Sequence, residues 1–145
     1  MSRSGAMTQI ETILKANDDP DFDLVLQHEP LSIPTGDRVA CFYFTGESQK
    51  SMTLGNVMVT QDFNVRCYFR VQASLQARNK CELELWNACR SVQTGLSADR
   101  QLGGNTSDMV LGDADIGWVD VGGVTFRTLS IPMGLIELEA EAIAP

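Results

Sequence analysis

The longest segment with unbroken helical periodicity, Ser74–Gly95, constrains the fold more than any other part of this chain. Ser74 suits an N-cap, because its hydroxyl can accept from a first-turn N–H that lacks an intrahelical partner, and Gly95 suits a left-handed stop. Between them Cys81, Leu85, Cys89 and Val92 recur at helical spacing, with Trp86 on the edge and Leu96 just past the end. At about 100° per residue they span roughly a third of the circumference, the width of a core-facing stripe. Lys80, Glu84, Asn87, Arg90, Ser91 and Thr94 take the opposite side. Leu83 breaks the pattern by projecting about 160° from Leu85. Either another element, such as an N-terminal helix, covers it, or it meets a neighbouring subunit.

The rest of the chain reads as shorter elements around that helix. Ala6–Asn17 is a short amphipathic helix with Met7, Ile10, Ile13 and Leu14 on one side, ended by Asn17-Asp18-Asp19-Pro20, and residues 1–5 form a disordered arm. Phe22, Leu24 and Leu26 alternate as a short strand before Pro30 and Pro34 impose an extended linker. Asp37–Thr45 is a strand apolar on both faces, Val39, Cys41 and Tyr43 against Ala40, Phe42 and Phe44. Such a strand is covered on two sides, or on one side by a second subunit.

Gly46–Ser51 reads as a polar turn, and Val57–Val71 as a long strand whose Phe63, Val65, Cys67, Phe69 and Val71 face the core. Asn64, Arg66, Tyr68, Arg70 and Gln72 alternate with them on an outer face, where arginine and tyrosine are the residues expected of either an interface or a solvated strand. Ser97–Asp108 is a polar, glycine-containing loop, and Met109–Asp120 and Val124–Glu139 form a hairpin around Gly122-Gly123, with Pro132 marking a bulge or an edge. The order helix, strands, long helix, hairpin predicts an α+β fold: an antiparallel sheet with one long and one short helix packed on it. With 145 residues, 43% of them hydrophobic, the chain is long enough for a single domain spanning residues 6–145 with its own core.

Composition narrows function. A formal net charge of −8 argues against gripping nucleic acid by its phosphates, which requires clustered Lys and Arg. No apolar run reaches membrane-spanning length and the first residues lack the apolar region of a signal peptide, so a soluble protein made in a cytoplasm is expected. Cys41, Cys67, Cys81 and Cys89 form no C-x-x-C pair; Cys81 and Cys89 are about 12 Å apart along one helix, too far to bridge, and all four read as buried thiols. The acidic run Asp18, Asp19, Asp21, Asp23 fails as a calcium loop. Counted from Asp19, position six is Leu24 instead of glycine and position twelve is Pro30 instead of glutamate.

No zinc spacing, phosphate loop or nucleophile elbow is present, and Asp113 and Asp115 read as a wet strand face. Neither a catalytic residue, a metal site nor a cofactor is assigned. The one enzymatic alternative pairs His28, the sole histidine, with a thiol, as in a small enzyme or ligand-binding domain.

Three stretches resemble the tail terminator proteins of long-tailed bacteriophages. They are Ser51-Met52-Thr53-Leu54-Gly55-Asn56-Val57-Met58-Val59 with the strand ending in Tyr68-Phe69-Arg70, the long helix through Leu85-Trp86-Asn87-Ala88 into Leu96-Ser97-Ala98-Asp99 and Leu102-Gly103-Gly104, and the closing strand Thr125–Leu135 with Ile131-Pro132-Met133. The resemblance covers roughly Asp37–Glu139. It implies a non-enzymatic protein of the virion tail or neck, forming a six-membered ring that caps the tail tube, docks the head connector and lets DNA pass without specific binding. The same resemblance leaves a connector or head-completion ring and a tube subunit as neighbouring readings. On exposure and composition, Arg66, Tyr68, Arg70, Leu83 and Arg90 are the candidate subunit or tube contacts. Glu47, Lys50 and Asn56 in one loop, and Gln101 and Asn105 in another, are the candidates for meeting a neighbouring ring.

Overall fold

The computed structural model describes residues 2–32, 34–53 and 56–140. Numbering the helices in chain order, α2 spans Leu75–Ser97, and the Ser74 hydroxyl accepts from the Ala77 N–H at 3.1 Å, as an N-cap should. Cys81, Leu85, Ala88, Val92 and Leu96 form its buried stripe. Gly95 does not end the helix, which runs on to a cap at Ala98. A Cβ at Gly95 would stand 3.5 Å from Ile13 Cγ2, so the glycine lies where the first helix packs closest.

That helix, α1, spans Arg3–Lys15 and starts earlier than Ala6, because Ser2 caps it by accepting from Gly5 N–H at 3.2 Å. Residues 3–5 are therefore helical and not a disordered arm. Gly5 sits so near the Asn105 side chain that a Cβ there would collide with Asn105 Oδ1. Ala6, Ile10 and Leu14 are the buried face.

Six strands make one sheet: β1 Leu24–Leu26, β2 Arg38–Thr53, β3 Asn56–Arg70, β4 Asp108–Leu111, β5 Asp115–Val121 and β6 Val124–Ala140. The spatial order is β1-β2-β3-β6-β4, with β5 also paired to β6. All pairs are antiparallel except β1 with β2, which are parallel neighbours separated in the chain by the proline-containing linker. Gly46–Ser51 is not a turn. After a bulge between Phe44 and Gly46, β2 continues with Glu47 opposite Gln61 and Ser51 opposite Val57. Polar residues hide the strand in sequence, since a ribbon that has left the core has no apolar face to display. The connecting residues Leu54 and Gly55 lie outside the described residues.

Met109–Asp120 is likewise two strands, β4 and β5, with a break at Gly112–Ala114. Pro132 lies inside β6 opposite Asn64, without a shift in register towards β3, and on its other side it stands at a local edge, as expected. The β4 pairing ends at Met133 and the β5 pairing at Ser130, so Pro132, which has no N–H, falls between them. Its carbonyl accepts from Gly112 N–H at 2.7 Å. Gly122 and Gly123, with φ of 58° and 85°, supply the left-handed pair that the β5–β6 hairpin requires.

Apolar residues form a cluster on each face of the sheet. On the helix side Phe42, Val65, Cys67, Phe69, Leu129, Ile131, Met133 and Leu135 meet α1 and α2. On the far side Val39, Cys41, Tyr68 and Phe126 form a smaller cluster, with Leu24 and Leu26 from one sheet edge and Val119 and Val121 from the other packed against it. The two-sided cover expected for Asp37–Thr45 is thus supplied by the chain itself at Val39–Phe42, whereas Phe44 is 56% exposed.

Candidate assembly surfaces

Beyond the core, β2, β3 and β6 run on together as a three-stranded arm, with Gly46–Thr53 and Gly134–Ala140 flanking Asn56–Asp62. β1 covers β2 only at Val39–Cys41 and β4 covers β6 only up to Ile136. The outer edges of the arm therefore have no strand partner among the described residues. Glu47, Lys50 and Asn56, expected in a loop, stand on these strands and are exposed. Gln61, on the central strand, is buried and donates to Glu47 Oε1 at 2.6 Å. Leu138 near the end of β6 is 58% exposed.

The far face holds a second group. Tyr68 is only 4% exposed and stacks edge-on against Phe126 at 6.0 Å, so it belongs to the core and does not face a partner. Burial raises its hydroxyl pKa to about 12. Arg66 lies with its guanidinium 5.1 Å from the Tyr68 ring centre and 3.7 Å from Glu29, and is half-buried. The alternation that put both outside was read correctly as a face; what the sequence hid was that distant strands close over it. Arg70 is exposed at the base of the sheet.

A third surface is the outer side of α2. Leu83 is 55% exposed, so α1 does not cover it, and Trp86 is 76% exposed. With Leu75 and Arg90, also exposed, they fall within about 80° on a helical wheel, well away from the buried stripe. Trp86, expected on the edge of the core-facing stripe, belongs to this outer one instead; its place three residues after Leu83 and four before Arg90 is the signal for it.

The fourth is a cleft of about 600 Å³ at the edge beside β5, whose lining includes Arg70, Arg78, Glu82, Trp118 and Arg127. Glu82 accepts from Arg127 Nε at 2.8 Å and from Nη2 at 3.3 Å, and the guanidinium lies 4.3 Å from the centre of the Trp118 ring. Trp118 is 62% exposed. No local motif signalled this group, because its members come from α2, β5 and β6.

The segment carrying Gln101 and Asn105 is fastened down. Asp99 accepts from Gln9 and from the Gly103 N–H at 3.0 Å each, and Arg100 and Asp108 make two hydrogen bonds at 3.0 Å. Gln101 is exposed, whereas Asn105 is half-buried beside α1 and donates to the Leu102 carbonyl at 2.7 Å. The acids before β1 also have structural partners. Asp23 accepts from the Asp37 and Arg38 N–H groups at 3.0 Å each, and Asn87 and Ser91 of α2 donate to Asp19.

His28 lines a second, largely apolar cleft of about 510 Å³ with Tyr43, Phe44, Phe63 and Leu135, and no cysteine lies among its lining residues. Cys41, Cys67 and Cys81 are buried and Cys89 is half-buried. Desolvation pushes the Cys41 thiol up to about 12 and raises Cys67 and Cys81 as well, the opposite of the shift a nucleophilic thiol needs. Among the described residues, no group of three or more His, Cys, Asp or Glu side chains is placed to hold a metal ion.

No family model matches the chain, and no curated protein does. The structure is similar to a sheath/tube terminator. That solved structure is the PVC sheath/tube terminator of an extracellular contractile injection system, in its extended state, determined by cryo-electron microscopy. The identity is 11% and the TM-score 0.46, and the match covers 100% of this chain and 62% of that one.

Proposed function

We propose that the chain is a structural tail terminator of a phage or phage-like particle, whose copies close into a ring at the end of the tail tube. The observation that carries this reading is the arm whose two outer edges, β2 on one side and β6 on the other, have no strand partner among the described residues. Unpaired strand edges are templates for pairing, and because the two edges differ, copy-to-copy pairing is heterologous. Heterologous contacts of this kind generate a ring when the rotation closes.

The size is consistent with a channel. Six arms of three strands give about eighteen strands, which at about 4.8 Å per strand and a tilt of about 40° close at a backbone diameter of about 36 Å. Side chains of about 5 Å on the inner wall leave a bore of about 26 Å, wide enough for a DNA duplex. A protein of net charge −8 would repel the phosphates and let DNA slide. Charge-neutralising changes on the bore that left DNA passage unaltered would remove that part of the reading.

In this account the base of the molecule and the outer stripe of α2, with Arg70, Leu83 and Arg90, meet the tube or a neighbouring copy. Glu47, Lys50 and Asn56 on the arm, with Gln101, meet the adjoining ring, and the head connector docks on the completed ring. The particle tail, assembled in the host cytoplasm, is where such a protein resides.

The neighbouring readings are a connector ring and a tube subunit. They separate when the chain is added to the tail-tube protein during polymerisation. A terminator added in rising amount shortens the tubes and sits at one end; a tube subunit is incorporated along their length; a connector ring leaves their length unchanged.

A further inference from the structure

Across the base of the sheet, an acidic run and an arginine-lined cleft stand at opposite edges. Leu24 of β1 pairs with Val39, Val39 with Tyr68, Tyr68 with Thr128 and Thr128 with Gly117 of β5, so β1 and β5 are opposite ends of one rung. Beside β1, on the helix side, lie Asp18, Asp19, Asp21 and Asp23, all exposed. Asp21 is 3.5 Å from Arg38, the cation shared with Asp23 and Glu84. Beside β5, also on the helix side, is the cleft with Arg70, Arg78, Glu82, Arg127 and Trp118. Three arginines of a chain with 11 basic residues thus line this cleft around one carboxylate, with Asp115 and Asp120 exposed elsewhere on β5, while the acidic run stands at the other edge.

We propose that the acidic Asp18–Asp23 edge of one copy seats against the arginine and tryptophan cleft of the next. This inference rests on the ring reading above and names the surfaces that mate. A second copy fits because the acidic run and the arginine-lined cleft have opposite charge and lie at one level of the sheet, so the contact repeats around a ring without a second interface type. Arg78 is exposed, so its charge is available to an incoming carboxylate, and the exposed indole of Trp118 adds a large apolar contact beside it. Arg127, already held by Glu82, keeps that indole in place.

The test is charge reversal. Arg78→Glu and Asp21→Arg are made singly and together, with Asp18→Arg as a second acidic-edge variant, and assembly is followed by sedimentation velocity over a range of concentration in low and high salt. All three native side chains are exposed, and a thermal melt checks that each variant folds. Each reversal is expected to raise the concentration for half-assembly by about tenfold or more, since like charges then face each other. The double variant Asp21→Arg with Arg78→Glu is expected to return to within about threefold of the parent, and salt to weaken the parent. Parent rings unaffected by folded single reversals would overturn this contact and leave the ring reading standing. A parent that stays monomeric at every concentration and salt would overturn both.

Discussion

Arg38 and Arg127 occupy one rung of the sheet, on either side of Phe69, and face the same way. Yet Arg38 is surrounded by Asp21, Asp23 and Glu84, whereas Arg127 is held between Glu82 and the Trp118 ring. Two chemically identical side chains therefore end up in different surroundings, three carboxylates around one and a single carboxylate and an indole around the other, because different loops and strands close over them. The acidic run and the arginine-lined cleft are built around this pair.

The stacking at Trp118 contributes modestly to stability. A double-mutant cycle of Trp118→Ala and Arg127→Ala in urea unfolding should give a coupling of about 0.5–1 kcal/mol, the range for an exposed cation–π pair. A coupling above about 2 kcal/mol would mean that the pair is structural and not a mostly open contact surface.

The far-face cluster behaves as core. Phe126→Ala should lower unfolding free energy by about 3–5 kcal/mol, as for other buried phenylalanines. Leu138→Ala, on the exposed arm, should cost less than about 1 kcal/mol in the unassembled chain. Equal losses at the two positions would contradict the division between a self-covered face and an open arm.

Stability should also fall at alkaline pH. The Cys41 thiol is raised from 9.0 to about 12 and the Tyr68 hydroxyl from 10.0 to about 12, both chiefly by burial. Below pH 9 each group is protonated folded or unfolded, and its contribution is fully present. As pH rises towards 12 the unfolded chain releases these protons while the folded chain retains them, so stability declines through that window. Chemical denaturation between pH 8 and 11 should show the decline beginning near pH 9, and Tyr68→Phe should make it shallower.

A proline on the outer edge of β2 should block assembly without unfolding the chain. Successive residues of a strand point their N–H groups to opposite sides, so of Ser48→Pro and Gln49→Pro one removes a donor facing out and the other a donor facing β3. The outward substitution should leave the melting temperature of the monomer nearly unchanged and abolish assembly. Rings formed by both folded variants would show that this edge is not used.

Much of the architecture was legible in the sequence, and the misreadings share a cause. Ser74 announces α2 because a cap followed by a regular apolar stripe is a local signal, and Gly122-Gly123 announces its hairpin for the same reason. Gly46–Ser51 was read as a turn because its strand character comes from pairing with β3, a partner invisible to local pattern. Gly95 was read as a stop because a glycine at a helix–helix contact looks the same in sequence as one that ends a helix. Tyr68 was read as exposed because the residues that bury it, such as Phe126, lie far along the chain. Exposure of Leu83, Arg70 and Arg90 was legible, since it follows from helical and strand periodicity, but the cleft at Trp118 and Arg127 depends on three separate elements and left no spacing to find.

The most direct test of the central claim is negative-stain electron microscopy of the purified chain over a range of concentration, with native mass as a check. The account predicts single closed rings of about six copies with an open centre. Monomers at every concentration, or rods that lengthen without limit, would contradict it.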